Sequence, residues 1–266
     1  MMRIVEEDLP RQLRTGFDRY AEDYQRTRPV CPPGLFDDLM LAGGLTAGDR
    51  VAEIGCGTGQ ASVPLAERGL AVTAVELGPA LAAIARRRLA EFPAAEVVTG
   101  SFEDWQPARA GFDAVVAVSS LHWIDPALRY AKPHALLRPE GILAVAGCQW
   151  ARPAGAHRFW TEVQEDYRAV GYAGDPPPPP EQIGPRPLAP GARGLFEEVA
   201  GLRYPFELGY RPEDYLAILA SQSGTRALGE ARSADFLGRV RRRLRALGWP
   251  ELTVTFVACL TVGRRR

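Results

Sequence analysis

The segment VAEIGCGTGQ, residues 51–60, joins a short apolar run to three glycines, Gly55, Gly57 and Gly59, at every second position. Glycine at a strand-to-helix turn permits backbone conformations closed to other residues and removes the Cβ that keeps a ligand away from the main chain. The open end of the helix that follows offers N–H groups without intrahelical partners. Such a turn suits close approach by a nucleoside-type cofactor at the carboxyl ends of the strands. The alternative is a tight turn that is glycine-rich for packing alone. Glu76 bears on that choice. It ends the next apolar run, AVTAVE (71–76), 17 residues after Gly59, where a carboxylate can accept both hydroxyls of a ribose.

Outward from this turn, apolar runs alternate with helical patterns. The strand at Arg50–Ile54 and the strand 71–76 are followed by a helix, PALAAIARRRLAEF (79–92), and a strand, EVVTG (96–100). Next come the loop SFEDWQP, the strand FDAVVAVSS (112–120), a helix over 126–137 and a further strand in PEGILAVAGC. Apolar strands alternating with helices predict a parallel, doubly wound sheet covered on both faces. Upstream, residues 11–27 read as an amphipathic helix with Phe17, Tyr20 and Tyr24 at helical spacing, ended by Pro29, Pro32 and Pro33. A second helix is expected after Gly34. After Trp150 a helix over 156–170 runs into DPPPPP (175–180), which is stiff and extended. A strand near 199–207, helices near 212–222 and 233–247, and a closing strand LTVTFVACLTVG (252–263) complete the chain, without internal repeats.

Composition narrows the function classes. Lys+Arg and Asp+Glu number 32 each, so the formally neutral chain is not built to coat nucleic acid or an acidic membrane. The basic concentration at 239–245 and Arg264–Arg266 reads equally as a solvated helix face or a nucleic-acid contact. Cys31, Cys56, Cys148 and Cys259 form no CxxC pair, which suggests neither a zinc site nor a disulfide framework, so a reducing cytoplasm is expected. The N-terminus lacks the apolar core of a signal peptide, and no run approaches the ~20 apolar residues of a membrane span.

The glycine spacing discriminates between cofactors. An NAD site calls for G-x-G-x-x-G, whereas this chain has G-x-G-x-G followed by Gln60 and Ala61. Glu53, two residues before the first glycine, is unhelpful beside a pyrophosphate and tolerable beside a cationic ligand. It can also order the loop by accepting backbone N–H bonds. At this point VAEIGCGTG resembles motif I, and AVTAVE motif II, of the class I S-adenosylmethionine-dependent methyltransferases. VVTGSFEDW, FDAVVAVSSLHWID and LLRPEGILAVAG continue the resemblance in order, and FDRYAEDYQRTRP is similar to the N-terminal helix of the small-molecule branch. The resemblance covers residues 15 to 148 and resumes where LTVTFVACLTVG fits an antiparallel last strand. It implies an α/β fold: a doubly wound, Rossmann-like sheet, mostly parallel with an antiparallel last strand, plus a helical cap insertion. The expected parts are N-terminal helices and cofactor-binding core over 1–150, a cap over 151–198, and a return to the core with inserted helices over 199–266.

The same resemblance implies site residues. Gly55, Cys56, Gly57 and Gly59 would line the methionine portion of S-adenosylmethionine, Glu76 would hold the ribose and Leu77 would pack on the adenine. Ser101, Phe102 and Glu103 correspond to the adenine-edge stretch, where Ser101 replaces the usual acid. Ser119 and Ser120 end the fourth strand near the reactive methyl. Tyr20, Tyr24 and Arg28 would close over the cofactor, with Arg28 or a tyrosine hydroxyl at its carboxylate; helix packing and a surface arginine are the alternative. In-line displacement from the sulfonium, leaving S-adenosylhomocysteine, needs no metal and no covalent nucleophile. His122, in SSLHWID beside the pocket, is the candidate general base, with a packing or cofactor-contact role as the alternative. His134 reads as structural. Trp123, Trp150, His157, Trp160 and Tyr20 are the candidate substrate contacts, against the alternative that the aromatics after Trp150 form the cap's own core. A small-molecule acceptor is thus expected. The rivals are an RNA methyltransferase, for which no nucleic-acid module is visible, and a cofactor-binding protein without transfer activity.

Overall fold

The computed structural model describes residues 11–152, 158–172 and 176–266; His157 lies outside them. Seven strands form one sheet: β1 (Arg50–Ile54), β2 (Ala71–Glu76), β3 (Glu96–Thr99), β4 (Phe112–Val118), β5 (Leu137–Ala151), β6 (Phe196–Tyr210) and β7 (Leu252–Arg265). Their order is β3-β2-β1-β4-β5-β7-β6. The strands β1 to β5 are parallel, with Val51 opposite Val72 on one side and Ala114 on the other. The last strand, β7, runs antiparallel, so the sheet is the mostly parallel, Rossmann-like one. Val51, Ala52 and Ile54 are completely buried, as expected of a strand covered on both faces. The edge strand β6 instead alternates between half-buried and exposed residues, and its position at the edge is what tolerates Pro205.

The helices are α1 (Ala21–Thr27), α2 (Pro33–Gly43), α3 (Ser62–Glu67), α4 (Pro79–Leu89), α5 (Ala131–Leu136), α6 (Phe159–Ala169), α7 (Pro212–Ser221), α8 (Ser223–Ala227) and α9 (Glu230–Leu247). Two differ in kind from the sequence expectation. Residues Arg11–Tyr20 are a 3₁₀ helix that becomes α-helical only at Ala21. The helix expected over 126–137 is confined to Ala131–Leu136, because Asp125 first folds a turn, accepting from Ala127 N through its side chain and from Leu128 N through its carbonyl.

The chain divides into two compact units, with three of the five divisions falling within β5, β6 and β7 and the others at Pro29/Val30 and Ile183/Gly184. The first comprises residues up to Pro29, Gln149–Ile183 and Pro205–Val257; the second comprises Val30–Cys148, Gly184–Tyr204 and Ala258–Arg266. The N-terminal helices before Val30 therefore group with the segment after Cys148, and residues 199–266 are shared between the units. The second unit has its core in Ile54, Val75, Phe112, Val115, Leu143 and their neighbours. The first is centred on aromatic residues: Phe159, Trp160 and Tyr215 lie within 6.2 Å of one another, and Tyr167 and Phe236 within 4.5 Å. Arg243 on α9 ties α6 into it through Asp166 (2.7 Å) and Glu162 (3.2 Å).

Candidate cofactor site

The strand order reverses direction between β1 and β4, so the loops leaving these two strands diverge and open a crevice at their carboxyl ends. In the second unit, the glycine loop follows β1 and Ser119–Ser120 follows β4. Gly55 and Gly57 sit in the left-handed region at φ 63° and 59°, which explains their residue type. Packing adds a second reason at Gly55: a Cβ there would come within 2.9 Å of Ser120 Cβ. The Ser120 hydroxyl donates to the Ile54 carbonyl and holds the two loops together. Ser119 also has a positive φ, 55°. That is a strained conformation for a residue with a side chain, of the kind that persists where surrounding structure imposes it.

The N–H groups of the glycine loop find partners within the protein. Gly55 N and Cys56 N donate to Val75 O at 2.8 and 3.2 Å, and Gly59 N to Cys56 O at 2.9 Å. Thr58 N donates to Gln60 Oε1 at 3.2 Å. Gly57 N donates to Glu76 Oε2 at 2.8 Å, while Glu76 Oε1 accepts from Gly78 N, also at 2.8 Å. The helix that follows, α3, starts only at Ser62. This geometry does not cradle a pyrophosphate. It fixes instead a carboxylate, only 8% exposed, at the end of β2. A carboxylate offers about four acceptor positions, so these two bonds are compatible with Glu76 receiving ribose hydroxyls.

Glu53 is placed differently from expectation. Its bond is with the Ser62 hydroxyl, 2.5 Å from Oε2, and the loop N–H groups go to Glu76 and to carbonyls. Burial, reinforced by the neighbouring Glu76 and opposed by Ser62, pushes the Glu53 carboxyl from 4.5 up to about 7. Burial and the two glutamates also push the Cys56 thiol well above its usual range, so Cys56 lines the loop as an un-ionised group. The buried Glu76 carboxylate at the glycine loop disfavours an anionic ligand and favours a cationic one, and a cation there would in turn favour the ionised form of Glu53.

The other expected residues divide. Leu77 is half-buried beside Glu76, consistent with a packing surface. Ser101 Oγ donates to Glu103 Oε2 at 2.8 Å, joining the two adenine-edge candidates in one bond. The Phe102 side chain points into the core, 3% exposed, with Trp105 at 6.1 Å. His122 and Trp123 lie on a 3₁₀ turn after β4, rings 4.7 Å apart, and Arg129 pins that turn through the His122 carbonyl at 2.9 Å.

In the first unit, Tyr24 and Arg28 stack at 4.9 Å, and Tyr20 is 43% exposed. Trp160 belongs to the aromatic core described above. Trp150 packs on Phe256 at 5.0 Å, which accords with the core alternative for these rings. Sequence reasoning missed Ser62, which follows no motif and becomes the partner of Glu53 only through tertiary placement. Among the described residues there is no group of three or more metal-ligating side chains, and no helix is long and apolar enough to cross a membrane.

Fold and loop together define a Rossmann-like protein with a glycine-rich turn at the carboxyl ends of its parallel strands. Comparison with known proteins carries this one step further. Residues 51–141 match the family described as a methyltransferase domain. An uncharacterized methyltransferase of Mycobacterium bovis is 32% identical over 166 residues, which span 62% of this chain and 63% of that protein. Trans-aconitate 2-methyltransferase of Escherichia coli is 34% identical over 125 residues, 46% of this chain and 45% of the enzyme. This chain thus matches under two thirds of the length of either relative. A solved structure from Anaeromyxobacter dehalogenans, a candidate type II methyltransferase, shares the fold over 90% of this chain and 97% of its own, with a TM-score of 0.62 at 24% identity.

Proposed function

We propose that this protein transfers a methyl group from S-adenosylmethionine to a small-molecule acceptor. The observation that carries the reading is the pair of buried carboxylates, Glu53 and Glu76, around a glycine loop whose own N–H groups are already bonded. When bound, the cofactor supplies an electrophilic methyl on a cationic sulfur, and the protein supplies position and electrostatics. Gly55, Gly57 and Gly59 give the methionine portion a surface free of side-chain bulk, and Cys56 lines it with an un-ionised thiol. Glu76 receives the ribose hydroxyls, with Leu77 against the base and Ser101 and Glu103 at its edge. The negative charge of Glu76 favours a cation in the loop, and a bound cation would draw Glu53 toward its ionised form. His122 takes the acceptor's proton where the acceptor is a hydroxyl; a packing role for its ring is the competing assignment. Tyr20, Trp123, Trp150, His157 and Trp160 are the proposed acceptor contacts. A cytoplasmic location belongs to the same proposal and is supported by four free thiols.

The acceptor class is supported by the relative named for trans-aconitate. The test is label transfer from methyl-labelled S-adenosylmethionine to a panel of carboxylic acids, phenols and amines, with bulk tRNA alongside. Label in a small molecule is expected. Label confined to tRNA would replace the small-molecule reading, and cofactor binding without transfer to any acceptor would make the protein a non-methylating cofactor binder.

A further inference from the structure

The chain's one lysine has no part in the reaction as derived. Lys132 lies on α5, half-buried, within the second unit. Its Nζ donates to the Glu103 carbonyl at 2.9 Å and to the Trp105 carbonyl at 2.5 Å, and it stands 5.3 Å from the centre of the Phe102 ring. All three residues belong to the turn that follows β3. Ser101 O accepts from Asp104 N at 3.2 Å and from Trp105 N at 2.9 Å. Those bonds close the turn, and the lysine satisfies carbonyls that the turn itself does not. Burial lowers the proton affinity of Lys132, while Asp104 and Glu103 oppose that effect, so the ammonium also sits in the field of both carboxylates.

The turn starts at the carboxyl end of the sheet, next to Glu76. Thr99 pairs with Glu76 across β3 and β2, and Gly100 N donates to the Glu76 carbonyl at 2.8 Å. Ser101 follows directly, and its Oγ donates to Glu103 Oε2 at 2.8 Å. With that proton committed, the hydroxyl is left with acceptor lone pairs, and an ionised carboxylate only accepts. The pair is thus an acceptor surface. It suits the 6-amino group of adenine, a donor, and disfavours the 6-oxo group of hypoxanthine, an acceptor. The main chain at Glu103 sets where that surface points, and Lys132 holds this main chain. The residue type fits the task. A compact ammonium has three rotatable donors for two carbonyls, whereas the planar guanidinium fork found at every other Lys or Arg position of this chain suits a carboxylate.

We propose that Lys132 is a positioning residue for base recognition: by tethering the main chain at Glu103 and Trp105 it aims the Ser101–Glu103 acceptor pair, and so sets a preference for adenosyl over inosyl compounds. The proposal rests on the methyltransferase reading for the nucleoside, and adds to it the group that orients the base-reading turn.

The test is calorimetric titration of the full chain with S-adenosylhomocysteine and S-inosylhomocysteine. The proteins are wild type, Lys132→Met, Lys132→Arg, Glu103→Gln, and the double variant that combines Lys132→Met with Glu103→Gln. Lys132→Met keeps the apolar stem beside Phe102 and removes the donors. Wild type is expected to bind the adenosyl compound tighter by about tenfold or more. That ratio is expected to fall by about fivefold or more in Lys132→Met, and by less in Lys132→Arg. Glu103→Gln should lower it too, and the double variant no further than Glu103→Gln alone, because the lysine acts through that side chain. Amide exchange at Asp104 and Trp105, measured without ligand, should quicken in Lys132→Met. The proposal is overturned if Lys132→Met keeps the wild-type ratio or the wild-type exchange rates. It is overturned equally if Lys132→Met loses both compounds to the same extent, which marks a purely structural tether, or if the effects of the two substitutions simply add. Wild type that binds neither compound defeats the methyltransferase reading and this role with it. Every other outcome requires wild type to bind S-adenosylhomocysteine, so the two failures are told apart.

Discussion

Replacing Glu53 by glutamine should make the protein less sensitive to alkaline pH. Glu53 is 2% exposed, and burial beside Glu76 raises its carboxyl from 4.5 to about 7. A carboxyl whose folded value is raised imposes no penalty when the pH lies below its unfolded value. It costs stability progressively as the pH rises through the folded value, since the folded state must then hold a charge that it disfavours. At about 1.36 kcal/mol per pH unit, the full loss is about 3 kcal/mol, and about 2.5 kcal/mol of it falls between pH 5 and pH 8. Glutamine does not titrate, and its carbonyl oxygen can still accept from the Ser62 hydroxyl. Urea unfolding of wild type and Glu53→Gln at both pH values isolates the effect, because every other titrating group is common to both proteins. Wild type is expected to lose about 2.5 kcal/mol more than the variant on going from pH 5 to pH 8, about 2–4 °C of melting temperature per kcal/mol. Parallel pH responses would show that Glu53 ionises at an ordinary pH and that its burial does not govern it.

Three further outcomes are expected. Gly55→Ala places a Cβ 2.9 Å from Ser120 Cβ at a φ of 63°; thermal unfolding should reveal a loss of about 1–3 kcal/mol from backbone strain and crowding, and unchanged stability would mean that the loop readjusts freely. His122→Asn should lower kcat by about 10²-fold or more if the imidazole takes a proton. A rise in KM for the cofactor with kcat unchanged would assign the ring to packing instead. Cys31 and Cys148, with sulfurs 3.5 Å apart, should be joined by diamide and recovered as one disulfide-linked peptide; independent alkylation of both after diamide would contradict this contact.

How much was legible depended on whether the determining contacts were local. The bounds of β1 and β2 could be read because buried parallel strands are continuous apolar runs and the glycines mark where β1 stops. Glu76 was legible for the same reason: it ends such a run at a fixed remove from the loop. Helix 126–137 was overextended because side-chain turn formation at Asp125 competes with helix and leaves little trace in apolar periodicity. The partner of Glu53 was not legible, since Ser62 reaches it only after the chain has turned through the glycines. Aromatic residues were ambiguous in principle: Phe102 and Trp160 both pack into cores, and nothing in their neighbours' sequence distinguishes a core ring from a pocket ring.

The most direct test of the central claim is calorimetric titration of wild type and Glu76→Ala with S-adenosylhomocysteine and with NAD. Wild type should bind the S-adenosyl compound and not NAD. Losing a charged acceptor for two ribose hydroxyls, at about 1.5–3 kcal/mol each, should weaken the variant by about a hundredfold or more. NAD binding to wild type, or S-adenosylhomocysteine binding that survives in Glu76→Ala, would contradict the assignment of the glycine loop and Glu76 to this cofactor.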